Sequence, residues 1–169
     1  MSDTASNLPA EGRFEGLPAF QHAVREALAA AAHSQHRDLM LCDQDFAHWP
    51  LGERAVVESF NQWALASRNG RCVLLAAHFD AFFRAHPRWV EWRQLWSHRV
   101  VCLQAPEEFA ADVPCALLLP GAVAVEMFDP DHYRGLVSQD PLRWRALQEK
   151  IDAVSQRSSE TFPPTTLGL

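Results

Sequence analysis

Three short apolar runs recur at an even spacing along this chain, and the first two are each followed by a stretch with the spacing of one helix face. They are Asp38-Leu39-Met40-Leu41-Cys42, Arg71 to Ala76 and Arg99 to Leu103, each with one cysteine, at positions 42, 72 and 102. A pitch of thirty residues is that of a βαβ unit, so the pattern predicts three parallel strands joined by helical crossovers. Runs with no polar alternation are expected of buried strands.

The segments between the runs fit crossovers. Phe20, Val24, Leu28 and Ala31 put one apolar face on a helix from Leu17 to His33. Val56, Phe60 and Trp63 do the same from Gly52 to Arg68, and Asn69-Gly70 follows as a helix stop. Phe79, Phe82, Trp89, Trp92 and Trp96 give the third segment an aromatic face, with Pro87 kinking the helix or starting a second piece. The pattern then changes. Cys115 to Leu119 and Ala122 to Phe128 are separated by Pro120-Gly121, which suits the central positions of a type II turn and predicts an antiparallel hairpin. Asp129-Pro130-Asp131 opens an irregular polar connection, and Asp140-Pro141 caps a helix from Leu142 to Arg157. The expected architecture is one α/β domain over residues 17–158: a mixed five-stranded sheet, three parallel strands and a C-terminal hairpin, with helices on its faces. Residues 1–16 and 159–169 are expected to be tails.

Charge restricts the partners. Fifteen Lys and Arg stand against twenty-one Asp and Glu, a formal net charge of −6, whereas nucleic acid and anionic bilayers select basic surfaces. No nucleic acid or membrane partner is expected, and no apolar run has the length of a membrane span. The start of the chain is polar and acidic, so neither a signal peptide nor an anchor is expected there. The four cysteines lie in apolar surroundings without a C-x-x-C pair, as reduced thiols of a cytoplasmic protein would. Lys150 is the only lysine, which confines lysine chemistry to the last helix.

The order of elements resembles one half of a phospholipase D-like domain. From about Arg37 to Leu169 the chain is also similar to a proteobacterial domain family of unknown function. That likeness is carried by the Arg37-Asp38-Leu39 strand entry, the Cys115 to Phe128 hairpin, the Asp129-Pro130-Asp131-His132-Tyr133-Arg134-Gly135 connection and Phe162-Pro163. Phospholipase D-like enzymes carry His-x-Lys, with an Asp further on, at the strand that opens this hairpin. There the His attacks phosphorus and the Lys holds phosphate oxygens. Here that stretch reads Val113-Pro114-Cys115, with Pro120 or Gly121 where the Asp would fall. The resemblance therefore implies a catalytically degenerate scaffold.

Several groups invite a chemical reading. Asp43-Gln44-Asp45 after a strand resembles the D-x-D of haloacid dehalogenase-like phosphatases, in which the first Asp attacks phosphorus and both help to hold Mg²⁺. Phe46-Ala47 departs from that pattern, and neither the Ser or Thr strand end nor a well-placed lysine is present. His78 and Asp80 follow the second strand, and with Asp43 and Asp45 they are candidates for a ligand site at adjacent strand ends; capping of the aromatic helix by His78 or Asp80 is the default reading. His33 with His36, and Asp129 and Asp131 with His132, lack further ligands at metal spacing, so no metal or cofactor is expected. Trp89, Trp92 and Trp96 form a stripe that packs on the sheet or, flanked by Arg88 and Arg93, marks a partner surface. The reading that combines these features is a non-catalytic module for a ligand, an unknown protein partner or a second copy of itself. The competing class is a Mg²⁺-dependent phosphohydrolase using Asp43 and Asp45.

Overall fold

In the computed structural model, residues 7–34 and 36–161 are described. The first helix, α1 (Leu17–His33), follows a strand, β1 (Gly12–Glu15). Strands β2 (Leu39–Asp43), β3 (Cys72–Ala76) and β4 (Val100–Gln104) are parallel neighbours, as their apolar runs predict. They are separated by α2 (Arg54–Ala66) and by the pair α3 (Phe82–Ala85) and α4 (Pro87–Leu95), the latter started by Pro87. Beyond a 3₁₀ segment (Glu107–Asp112) come β5 (Cys115–Leu119), β6 (Val123–Asp129) and β7 (Arg134–Ser138), then α5 (Pro141–Ser155) and β8 (Ser159–Glu160). Pro120-Gly121 forms the expected turn: Ala122 N donates to Leu119 O at 2.9 Å and Gly121 takes a φ of 85°, which glycine tolerates without a Cβ clash. Asp140 caps α5 through Leu142 N at 3.0 Å.

The sheet has eight strands in the order β1-β7-β6-β5-β2-β3-β4-β8, not the five expected. The three additional strands are short. β7 occupies what the sequence suggests is an irregular connection, because Arg134, Gly135 and Ser138 dilute its only apolar pair, Leu136 and Val137. β1 and β8 are edge strands within the expected tails and carry few side chains that need burial. Residues 1–6 and 162–169, including Phe162-Pro163, lie outside the described residues.

The central strands are buried on both faces. Leu41, Leu74, Leu117 and Val125 pack under α1, α2 and α4 with Phe20, Phe60 and Trp63. Cys42, Leu75, Ala116 and Leu118 pack under α5 with Leu147, Ile151 and Val154. Covering both faces removes the polar alternation of a half-exposed strand, which is why these runs are legible. Among the described residues no helix is long and apolar enough to cross a membrane.

The entries to β3 and β4 are tied to the end of α2 by Arg99, which is 8% exposed. Its guanidinium donates to the carbonyls of Ala64, Ser67 and Gly70 at the end of α2 and lies over the Trp63 and Trp96 rings at 5.1 and 5.8 Å. A cation there satisfies carbonyls that the helix leaves without donors and meets the negative end of its dipole. Gly70 serves this junction by close approach: a Cβ would lie 1.9 Å from Arg37 O. Arg99→Met keeps most of the apolar stem but leaves buried carbonyls without their donor, and is expected to cost about 3 kcal/mol. Arg99→Lys should recover only part, since an ammonium cannot reproduce the planar fork. Urea unfolding of the three proteins checks this ordering.

Candidate functional site

At the carboxyl end of β2 the chain turns sharply on the first of the two aspartates. Asp43 Oδ2 accepts from Asp45 N at 3.2 Å and Phe46 N at 2.8 Å, and Asp45 Oδ1 accepts from Ala47 N at 2.9 Å. Gln44 Nε2 donates to Ala110 O at 2.9 Å, anchoring the turn to the 3₁₀ segment. Phe46 is held at a φ of 59°, and its carbonyl accepts from the buried His86 ring at 2.8 Å. A bulky residue in the left-handed region persists only where its surroundings fix it, and here the buried Phe46 ring packs against Trp49, Phe79 and Phe82.

A cavity of about 230 Å³ opens beside this turn, lined by residues from four segments. Asp43 ends β2, Asp45, His48 and Trp49 come from the loop after it, and Phe20 from α1. Cys115 and Met127 come from the β5–β6 hairpin, and Tyr133 from the turn before β7. Antiparallel pairing of β2 with β5, with Cys42 opposite Ala116, brings Cys115 alongside Asp43. Burial pushes the Cys115 thiol up, and the Asp43 carboxylate pushes it further, so it is held protonated. Trp49 is 4% exposed; its Nε1–H is directed at this thiol, short of a full hydrogen bond, and has no other partner among the described residues. Phe20 and Trp49 meet edge to face at 5.3 Å, as do His48 and Tyr133 at 5.8 Å. Tyr133 has a φ of 51°, so both non-glycine residues with positive φ among those described flank this region.

The sequence candidates divide. Asp43 and Asp45 line the cavity; His78 and Asp80 do not, and their side chains are exposed. The loop after β3 is held by its backbone, with Ala77 N and His78 N both donating to Gln44 O at 3.1 and 2.9 Å. His48, Cys115 and Tyr133 were not among the sequence candidates, because only the sheet register and the β6–β7 turn bring them together. The tryptophan stripe turns inward: Trp89 and Trp92 are 0% and 5% exposed, Trp96 is half-buried, and Arg93 is buried beneath β4 with Nη2 donating to Val100 O. Arg88 remains exposed and donates to Gly52 O at 2.9 Å. These rings pack against Phe60 and Phe82, so the helix presents a core face rather than a partner surface.

Among the described residues no group of three or more His, Cys, Asp or Glu side chains is arranged to hold a metal ion. Asp129 and His132 form an exposed pair at 3.0 Å, while the His36 carbonyl accepts from Trp63 Nε1 at 2.8 Å. Burial pushes Cys42 and Cys72 well up and Cys102 up to about 12, which leaves all three inert as nucleophiles.

The eight-stranded mixed sheet with helices on both faces is similar in fold to phospholipase D family members. It is similar to Nuc from Salmonella typhimurium, a phospholipase D family member (TM-score 0.54, 8% identity, 91% of this chain and 100% of that one). It is also similar to NucT from Helicobacter pylori (TM-score 0.51, 9% identity, 90% and 99%). A third likeness is to TrmBL2, an archaeal chromatin protein described as having a novel mode of DNA binding (TM-score 0.63, 7% identity); it covers 90% of this chain but only 55% of that one. At such identities the likeness is one of fold. No curated protein sequence matches. The chain belongs to the family described as Domain of unknown function (DUF7931), which matches residues 20–163.

Burial of the His86 ring gives the loop a pH dependence. Burial lowers the His86 pKa below the ordinary value of 6.5, and the bond to Phe46 O opposes this more weakly. The unfolded chain therefore binds the proton first; the stability that burying the neutral ring contributes is present above about pH 6.5 and is lost as pH falls through the folded value. His86→Gln, whose amide can still donate to Phe46 O, is expected to lose less stability than the wild type between about pH 7.5 and 5. Urea titrations at each pH measure it.

Proposed function

We propose that this chain is a non-catalytic binding module on a phospholipase D-like scaffold, with a small ligand seated in the cavity between the ends of β2 and β5. The observation that carries the reading is the lining itself. At the start of β5, where the resemblance would put the phosphate-handling residues, Cys115 faces a cavity lined by carboxylates and aromatic rings, with no lysine or arginine. Phosphodiester cleavage needs a nucleophile and cations for the phosphate oxygens. A thiol held protonated beside a carboxylate supplies neither. The phosphatase reading fares no better, because Asp43 Oδ2 is committed to two backbone N–H groups and the loop lacks a cation to hold a phosphate. A DNA-binding role such as that described for TrmBL2 is disfavoured by the formal charge of −6.

The test is a thermal-shift panel of amines, nucleotides, phosphorylated metabolites, short nucleic acids and divalent metals, run beside turnover of a phosphate monoester by the wild type and Asp43→Asn. A ligand that binds only the native state raises its melting temperature, and at one hundred times its Kd it contributes about 2.7 kcal/mol. The expected result is a reproducible shift with one class of small ligand and turnover by neither protein. Turnover by the wild type that Asp43→Asn abolishes would overturn the non-catalytic reading. No shift with any compound would overturn the small-ligand reading and favour a protein partner, sought by pull-down.

A further inference from the structure

Ligand class follows from what lines the cavity and what is missing from it. Two carboxylates, Asp43 and Asp45, stand at its rim, and neither has an ion-pair partner among the described residues. Asp43 Oδ2 and Asp45 Oδ1 are engaged by backbone N–H groups and Asp43 also meets the Cys115 thiol, so the donors to both carboxylates among the described residues are neutral and their charge is not compensated. Phe20, His48, Trp49 and Tyr133 contribute four rings to the walls, and no lysine or arginine is present. Such a lining repels a phosphate or carboxylate and attracts a cation, through the carboxylates by charge and through aromatic faces by their quadrupoles. Its volume of about 230 Å³ lies below the range of about 300–1,000 Å³ usual for drug-sized ligands, so the occupant is small. Aromatic walls favour a weakly hydrated organic cation over a metal ion, which would ask for more oxygen ligands than this lining offers.

We infer that the cavity binds a small organic ammonium group, held between the Asp43 and Asp45 carboxylates and the rings of Trp49 and Tyr133. This rests on the binding-module reading above and gives that module its ligand class. The buried Trp49 Nε1–H, which has no full hydrogen bond among the described residues, reports on occupancy because it meets the Cys115 thiol that also lines the cavity.

The experiment follows amide and indole N–H signals of the full-length protein by nuclear magnetic resonance during titration with tetramethylammonium chloride. Parallel titrations use tert-butanol, a neutral molecule of similar shape, and inorganic phosphate. The expected result is a saturable shift of the Trp49 indole signal and of residues 43–49 with tetramethylammonium alone. Asp45→Asn, whose side-chain oxygen can still accept from Ala47 N, should weaken binding about tenfold. Tyr133→Asn removes a ring while suiting a positive φ, and should weaken it by a similar factor. Equal binding of tert-butanol, or unchanged affinity in both variants, overturns the ammonium assignment but leaves a ligand cavity. Phosphate moving the same signals overturns the class in favour of an anion. If no probe moves them, the ammonium assignment fails, and the binding-module reading falls with it only if the wider thermal-shift panel is also silent.

Discussion

One buried guanidinium organises the closed end of this molecule. Arg99 gathers the carbonyls at the end of α2, is flanked by Trp63 and Trp96, and stands at the entry to β4. Around it the loops entering the three parallel strands are knitted together. Trp63 Nε1 donates to His36 O, Arg71 N donates to Asp38 Oδ1 at 3.1 Å, and Cys72 N donates to Arg99 O at 2.9 Å. A charge in so apolar a place is tolerated because its donors meet carbonyls that would otherwise be unsatisfied. The opposite ends of the same strands carry the open loops and the cavity. A rigid base with functional loops at the strand carboxyl ends is a general division of labour in α/β sheets.

The parallel centre was readable because burial on both faces leaves continuous apolar runs at Leu39–Asp43, Cys72–Ala76 and Val100–Gln104. The hairpin was readable because Pro120-Gly121 permits few backbone shapes. β1, β7 and β8 escaped notice for the opposite reason. Edge or near-edge strands need little apolar content, and a stretch such as Arg134–Ser138 looks like a loop until its neighbours are known. The site was legible only where it is local. Asp43 and Asp45 announce a turn by their own spacing, whereas Cys115 and Tyr133 reach them through strand register and the β6–β7 turn. His78 and Asp80 follow the neighbouring strand yet lie outside the cavity, because adjacency of strand ends does not fix the direction of side chains. Arg99 gave no signal at all, since a single arginine at a strand entry has no motif.

The fold shared with phospholipase D family members constrains where chemistry can sit without dictating which chemistry it is. In this chain the strand end that the resemblance associates with phosphate holds a protonated thiol, two carboxylates without an ion-pair partner among the described residues, and aromatic rings. A scaffold can keep a concave strand end while changing the sign of what it attracts.

The pairing of β1 with β7 joins Gly12 to Val137, so the first strand of the chain waits for one of the last. The cavity has the same history, since Phe20 and Tyr133 both line it. On a ribosome, where about 5–20 residues are added each second, the earliest wall of the site would be exposed for several seconds before its counterpart was synthesised. Contacts so distant in sequence also slow folding, because the intervening chain must be ordered before they form. The cavity is thus among the last features to be completed, and a chain interrupted before β7 would have much of the sheet yet lack one wall of it.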